Sequence, residues 1–374
     1  MKALVFGGWF GSGNIGDDAI LIGLRDIMRA VMPDIELIAL STDPEQTRKI
    51  CEVESIKLQS PKQLLRNKHE YLNAFNDADA VIVTGGTPIY DYDHLSRIIH
   101  MGIPILKRKP LILFGIGAKP VYTLRGRSVL RMLLRHASLI SVRDAPSARV
   151  LSKITDKQVT VTGDSALCIH NLERKRKTGK HAALICPRIL SANNKPLYHE
   201  KLSTKTIFCI RRTTASFADW LSENHNVMFI PFHTKYLDDD RQEITQIRQL
   251  MKIDNSKEID SPSSPEHAFN LLGGADILLG LRLHSLILGA LAGLPLVSIS
   301  YDSKIYGFME VMGIHNYVCP LDNLQFASIR DKANTALNHN NKVQKMLDNS
   351  VRRTRSRIMS EAVRVSDYLA TLSR

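Results

Sequence analysis

The stretch Lys2-Ala3-Leu4-Val5-Phe6-Gly7-Gly8-Trp9-Phe10-Gly11-Ser12-Gly13-Asn14-Ile15-Gly16-Asp17-Asp18 decides the fold class. Its apolar run, residues 3–6, has the length of a buried strand, and the glycines after it end the strand in a tight turn. Beyond the turn Ile20, Leu24, Ile27, Met28 and Val31 recur at helical spacing and mark one apolar face. Strand, glycine turn and helix form the first half of a βα unit. Because the apolar run breaks on glycines and meets two acids, a first strand is expected here rather than a secretory leader.

The alternation continues along the chain. Further strands are expected at residues 37–40, 80–83, 111–114, 139–142 and 159–161, and then at 182–186, 227–231, 276–279 and 296–300. Helical periods lie between them, so the fold class is α/β with two doubly wound, Rossmann-like domains. An N-terminal domain is expected over residues 1–170, a basic linker over 171–180 and a C-terminal domain over 181–340. A basic amphipathic helix over 341–374 closes the chain, with Val343, Leu347, Val351, Ile358, Ala362, Val365 and Leu369 near one stripe.

Composition bounds the function. The 374 residues are 44% apolar and 23% charged, which fits a globular chain and excludes a disordered or fibrous one. The longest apolar stretch, residues 271–300, is interrupted by Asp276, Arg282 and His284 and makes a poor bilayer span. Five scattered cysteines (51, 168, 186, 209 and 319) without a CxxC pair argue against a disulfide framework or a zinc site. Cytoplasm is the expected compartment. The net charge of +13 is unevenly spread: residues 1–93 hold 9 Lys/Arg and 14 Asp/Glu, whereas residues 94–143 hold ten Lys/Arg and no acid. No nucleic-acid module or aromatic-interleaved basic motif accompanies this block, so nucleic acid is not an expected partner. An anionic membrane surface suits the same charges and an ordinary solvated basic face explains them equally, so peripheral contact with the inner face of the membrane is one of two open readings.

The turn Gly11-Ser12-Gly13-Asn14-Ile15-Gly16 fits the G-x-G-x-x-G dinucleotide fingerprint in the right context, between a strand and a helix. Asp17 and Asp18 argue against that reading, because they put two carboxylates where a pyrophosphate would sit. Either acid could instead meet a hydroxylated ligand, act as a base, or cap the helix.

A second constellation lies far along the chain. Arg282 and His284 fall between a strand end and an apolar helix, the edge where open parallel sheets bind ligands. An Arg in apolar surroundings needs an anionic partner, and Asp276 or Asp302 could supply it without any ligand. Lys304 follows the next strand and Arg143 follows a strand of the first half, so three cations at three strand ends describe a site for a small, multiply charged anion.

With these residues in place the chain resembles the polysaccharide pyruvyl transferase family. The resemblance rests on Gly13-Asn14-Ile15-Gly16-Asp17-Asp18, Gly85-Gly86-Thr87-Pro88-Ile89-Tyr90-Asp91, Gly115-Ile116-Gly117, Ser141-Val142-Arg143-Asp144 with Ser147, Pro231-Phe232 followed by Asp238-Asp239, and Arg282-Leu283-His284 with Tyr301 and Lys304. Thr87 departs from the pattern, which commonly has a third glycine there. The resemblance implies two Rossmann-like domains as in GT-B glycosyltransferases, phosphoenolpyruvate as donor, and a pyruvate ketal on a sugar of a polysaccharide or lipid-linked glycan as product. It implies that Arg143, Arg282, Leu283 and His284 line the donor site.

Chemistry fills in roles. Two guanidinium forks suit the carboxylate and phosphate of such a donor, and Lys304 suits the phosphate as a point charge. Ketal formation needs an acid and a base but no cofactor and no metal. His284 is the expected acid and Asp17 the expected base or hydroxyl binder. Asn14, Gly16, Gly85, Gly86 and Asp91 are acceptor or loop candidates. Two other readings compete: a nucleotide-sugar glycosyltransferase with Arg282 and Lys304 on a diphosphate, and a non-catalytic protein that binds anionic glycans or membrane.

Overall fold

The computed structural model describes residues 1–64, 68–91, 94–174, 181–190, 202–235, 238–253 and 256–372. The chain divides into two compact units, one of Met1–Ser12, Asp17–His170 and Thr354–Arg374, the other of Gly13–Gly16 and Asn171–Arg353. Of the expected linker, residues 175–180 lie outside the described residues.

The first unit is built from β1 (Lys2–Phe6), α1 (Ile15–Val31), β2 (Glu36–Ser41), α2 (Pro44–Cys51), β3 (Glu54–Lys57), α3 (Pro61–Leu64), α4 (Lys68–Asp77), β4 (Ala80–Val83), α5 (His94–Leu106), β5 (Leu111–Ile116), α6 (Leu124–Arg135), β6 (Ala137–Val142), α7 (Ala145–Leu151) and β7 (Thr160–Val161). The strands are parallel in the order β3-β2-β1-β4-β5-β6-β7. Strand order reverses between β1 and β4, which opens a crevice at their carboxyl ends. The central strands are buried on both faces: β4 and β5 have every residue buried. Tyr71, Phe75, Met101, Leu130 and Leu133 from the helices pack against them.

The second unit contains β8 (Ala182–Cys186), α8 (Thr204–Leu221), β9 (Asn226–Phe229), α9 (Asp240–Arg248), β10 (Lys257–Glu258), α10 (Pro265–Gly273), β11 (Ile277–Gly280), α11 (Leu283–Leu291), β12 (Leu296–Ser300), α12 (Ser303–Val311), β13 (Val318–Pro320), α13 (Phe326–Asn338) and the start of α14 (Asn340–Leu372). Its sheet is again parallel, β10-β9-β8-β11-β12-β13, with the reversal between β8 and β11. Both units are therefore Rossmann-like, in agreement with the fold class read from the sequence.

Sequence patterning leaves out β3, β10 and β13. All three are outermost strands of two to four residues, and an outermost strand lacks the continuous apolar run of a central one. The terminal helix anticipated over 341–374 is not a unit of its own: residues 340–353 group with the second unit and Thr354 onward with the first. All seven residues of its expected stripe are buried, so that face packs on the protein. None of the helices is long and apolar enough to cross a membrane, among the described residues.

Candidate functional site

The crevice between β8 and β11 collects the chemistry of the second unit. The chain leaves β8 toward Arg188, leaves β9 toward His233, leaves β11 into Arg282, Leu283 and His284, and leaves β12 into Tyr301, Asp302 and Lys304. Parallel strands put all these exits at one edge of the sheet. The segment 13–16 belongs to the same unit: Asn14 bridges His233 in antiparallel fashion, and the Ile15 amide donates to the Phe232 carbonyl at 3.1 Å. Gly16 lies so close to His284 that a Cβ there would come within 2.0 Å of Nδ1. Only glycine leaves room for the imidazole.

Arg282 takes the N-cap position of α11 and is buried. Its Nη2 donates to Asp240 Oδ1 at 2.6 Å and its Nε to Asp240 Oδ2 at 3.0 Å, a two-point fork on one carboxylate. Burial works against the guanidinium charge, but Asp240 and Asp238 outweigh it and keep Arg282 firmly protonated. The sequence offers Asp276 or Asp302 as a structural salt-bridge partner, and the structure gives that place to Asp240. Asp276 instead meets His181 Nδ1 at 3.2 Å, at the amino-terminal side of the sheet, while Asp302 accepts from the Lys304 amide at 3.1 Å as the cap of α12.

Asp240 was not singled out from the sequence, yet it holds the site together. Its side chain is fully buried and also accepts the amides of Ile189 at 3.2 Å, Phe232 at 3.1 Å and His233 at 3.0 Å. One carboxylate thus ties the exits of β8, β9 and β11. Its only sequence signal is its place after Asp238-Asp239 at the start of a helix. Asp238 sits 3.5 Å from both Arg188 Nη2 and Arg282 Nη1 and 3.6 Å from His233 Nδ1. Burial opposes its ionisation, but the His233 imidazole and the two guanidiniums prevail and hold the carboxyl well below the usual range. Arg188 and His233, both buried, were also missed, because single residues beyond short strands carry no periodic signal. Tyr301 donates to the Leu281 carbonyl at 2.8 Å, and burial pushes its phenol up to about 12. Lys304 Nζ lies 3.9 Å from Asp302.

In the first unit Arg143 leaves β6 and is buried. Its Nε donates to Asp144 at 3.1 Å, Nη1 lies 3.7 Å from Asp164, and Nη2 donates to the Thr87 hydroxyl at 3.3 Å. Thr87, the departure from the glycine pattern, is thus a direct partner of this arginine. At the reversal between β1 and β4, Asp17 Oδ1 accepts from the Gly86 amide at 3.4 Å. Gly85 beside it has a φ of 109°, which an L side chain adopts only under strain. Asp18 accepts the Gly11 amide at 3.0 Å and is buried, so the turn amide that would cradle a phosphate is occupied from within. Asp91 accepts from the Tyr122 amide at 2.9 Å, the Thr123 amide at 2.8 Å and the Thr123 hydroxyl at 2.6 Å, and so fixes the entry to α6.

The structure therefore joins Asn14 and Gly16 with Arg282, Leu283 and His284 in the second unit, and Asp17, Gly85 and Gly86 in the first, where Arg143 meets Thr87 beside Gly86. Asp91 serves a helix start. Comparison with known proteins bears on the family and the fold. Across 95% of its length the chain is 23% identical to the amylovoran biosynthesis protein AmsJ of Erwinia amylovora, covering 96% of that protein. A glycosyltransferase from Rickettsia africae superimposes with a TM-score of 0.63 at 10% identity, over 99% of this chain and 98% of that one. The UDP-GlcNAc 2-epimerase of Neisseria meningitidis, solved with UDP-GlcNAc, gives 0.58 at 14% identity over 93% and 94%. At such identities these two show the fold alone, which is GT-B-like. The polysaccharide pyruvyl transferase pattern matches residues 14–303, from the Asn14 turn to the start of α12, and the chain belongs to the polysaccharide pyruvyl transferase family.

Proposed function

We propose that the protein transfers the enolpyruvyl group of phosphoenolpyruvate to two hydroxyls of a sugar in a polysaccharide or lipid-linked glycan precursor, forming a pyruvate ketal and releasing phosphate. The observation that carries this reading is the convergence of Arg188, Arg282 and His284 at the β8/β11 reversal of a chain in this family. Arg282 is held by Asp240 and Asp238 and cannot swing away, so its guanidinium is a fixed charge at this edge, and Nη1, 3.5 Å from Asp238, is the nitrogen least committed to a carboxylate. Lys304 of the same unit supplies a point charge for phosphate, and Arg143, in the first unit, is a further donor-binding candidate from the family resemblance.

The steps balance without a redox change. His284 gives its proton to the methylene carbon, and a sugar hydroxyl adds to the adjacent carbon. Loss of phosphate admits the second hydroxyl. Of the two hydroxyl protons, one restores His284 and the other leaves on phosphate. Leu283 is buried and opens α11, with His284 next to it in the first turn. Asp17, beside Gly86, is the base or hydroxyl binder.

The test is a donor screen: phosphate release from phosphoenolpyruvate in the presence of acceptor glycans, against UDP release from nucleotide sugars. Phosphate release is expected, and His284→Gln should cut turnover by at least about 10² while leaving donor affinity within about tenfold and the melting temperature near that of the parent. UDP release would establish a glycosyltransferase instead. Near-parent turnover with a lowered melting temperature would make His284 a structural residue.

A further inference from the structure

Helix α6 carries an outward face that the proposed reaction does not use. Leu124, Ser128 and Met132 follow one another at four-residue spacing and are exposed, and Arg127, Arg131 and Arg135 form the neighbouring exposed row. Leu124 is 79% exposed and Met132 50%, and Tyr122, just before the helix, is 76% exposed. The opposite face, Gly126, Leu130, Leu133 and Leu134, is buried in the first unit. Such large apolar side chains do not gain from water, and here they adjoin arginines with no acid anywhere in residues 94–143. The guanidinium stems of Arg127 and Arg131 are held by Nε bonds to the carbonyls of Val121 and Ile154. Asp91, which fixes the Tyr122 and Thr123 amides, holds the start of the helix.

We infer that α6 is a membrane-docking helix that lies in the plane of an anionic bilayer, with Tyr122, Leu124 and Met132 entering the headgroup boundary and the arginine row meeting lipid phosphates. Charge complementarity selects the occupant. A row of cations beside apolar side chains fits an interface that is negative at its surface and apolar just beneath it, as an anionic bilayer is. A nucleic acid or a soluble polyanion would use the arginines alone. The terminal helix α14, also basic and amphipathic, does not compete for this role, because its apolar stripe is buried. The inference is independent of the donor, since it concerns adsorption and not turnover.

Flotation of the full chain with vesicles of phosphatidylglycerol and phosphatidylethanolamine tests it. Binding is expected at low salt, falling steeply as salt approaches physiological strength, and absent from phosphatidylcholine vesicles. Replacing Arg127, Arg131 and Arg135 by Gln should weaken binding about 10- to 100-fold. Leu124→Ser with Met132→Ser should weaken it at unchanged charge, with melting temperatures reported for both variants. No flotation at low salt would overturn the inference, as would parent-like binding by the serine variant, which would mark the arginines as a general polyanion surface. If a variant fails to fold, the lipid and salt series on the parent chain decides alone.

Discussion

At the residue scale, Gly16 and His284 constrain each other more tightly than any other pair in the candidate site. A methyl group on Gly16 would overlap the His284 ring at 2.0 Å, so the imidazole must turn or α1 must shift. Alanine is otherwise favoured over glycine inside a helix, by about 1 kcal/mol, which offsets part of the strain. Gly16→Ala is therefore expected to move the melting temperature by only a few degrees while reducing phosphate release from phosphoenolpyruvate at least tenfold. Parent-like turnover would show that the ring position is immaterial. The sequence made His284 and Arg282 legible because a histidine and an arginine stand at a strand-to-helix junction among aliphatic residues. It left Asp240 illegible, since its importance comes from amides brought to it by the exits of β8 and β9, a long-range product of folding. The arginine's need for a carboxylate could be read in advance, but which of several aspartates met it could not.

At the element scale, several helices begin with an acid or hydroxyl that bonds the first free amides: Asp43 on α2, Thr123 on α6, Asp144 on α7, Asp239 on α9 and Asp302 on α12. These caps place helix starts at the carboxyl edge of each sheet, where the functional side chains lie. Two of them also meet candidate cations, Asp144 with Arg143 and Asp302 with Lys304. Losing the Asp302 cap should cost about 1 kcal/mol. Asp302→Asn should keep most of that stability, because the amide oxygen still accepts the Lys304 amide, and Asp302→Ala should not. A chemical denaturation series on the two variants checks this, and equal destabilisation by both would assign the cost to the lost charge beside Lys304 instead. Buried central strands were readable in advance for the same reason that caps are effective: both are local. The short edge strands β3, β10 and β13 were not, because their pairing depends on a neighbour already in place.

At the scale of the whole molecule, the end of the chain completes its beginning. From Thr354 onward α14 belongs to the first unit, where Ile358, Val365 and Leu369 are fully buried. Arg355 donates to the Leu167 and Ile169 carbonyls, and the Tyr368 hydroxyl donates to Ser138 Oγ at 2.8 Å. Burying three such aliphatic side chains stabilises the unit by roughly 5–8 kcal/mol, about as much as the net stability of a typical domain. The sequence showed the stripe and its period, but a stripe alone does not name the surface that covers it. Removal of residues 354–374 is accordingly expected to unfold the first unit. Limited proteolysis should then cut within residues 1–170 at a protease concentration that leaves the full-length chain intact. Leu369→Ala provides the graded counterpart, with an expected loss of about 2–5 kcal/mol and intact two-state unfolding of that unit. A truncated chain as protected over residues 1–170 as the parent would mean that the first sheet and its own helices suffice, and that the buried stripe is covered without being needed.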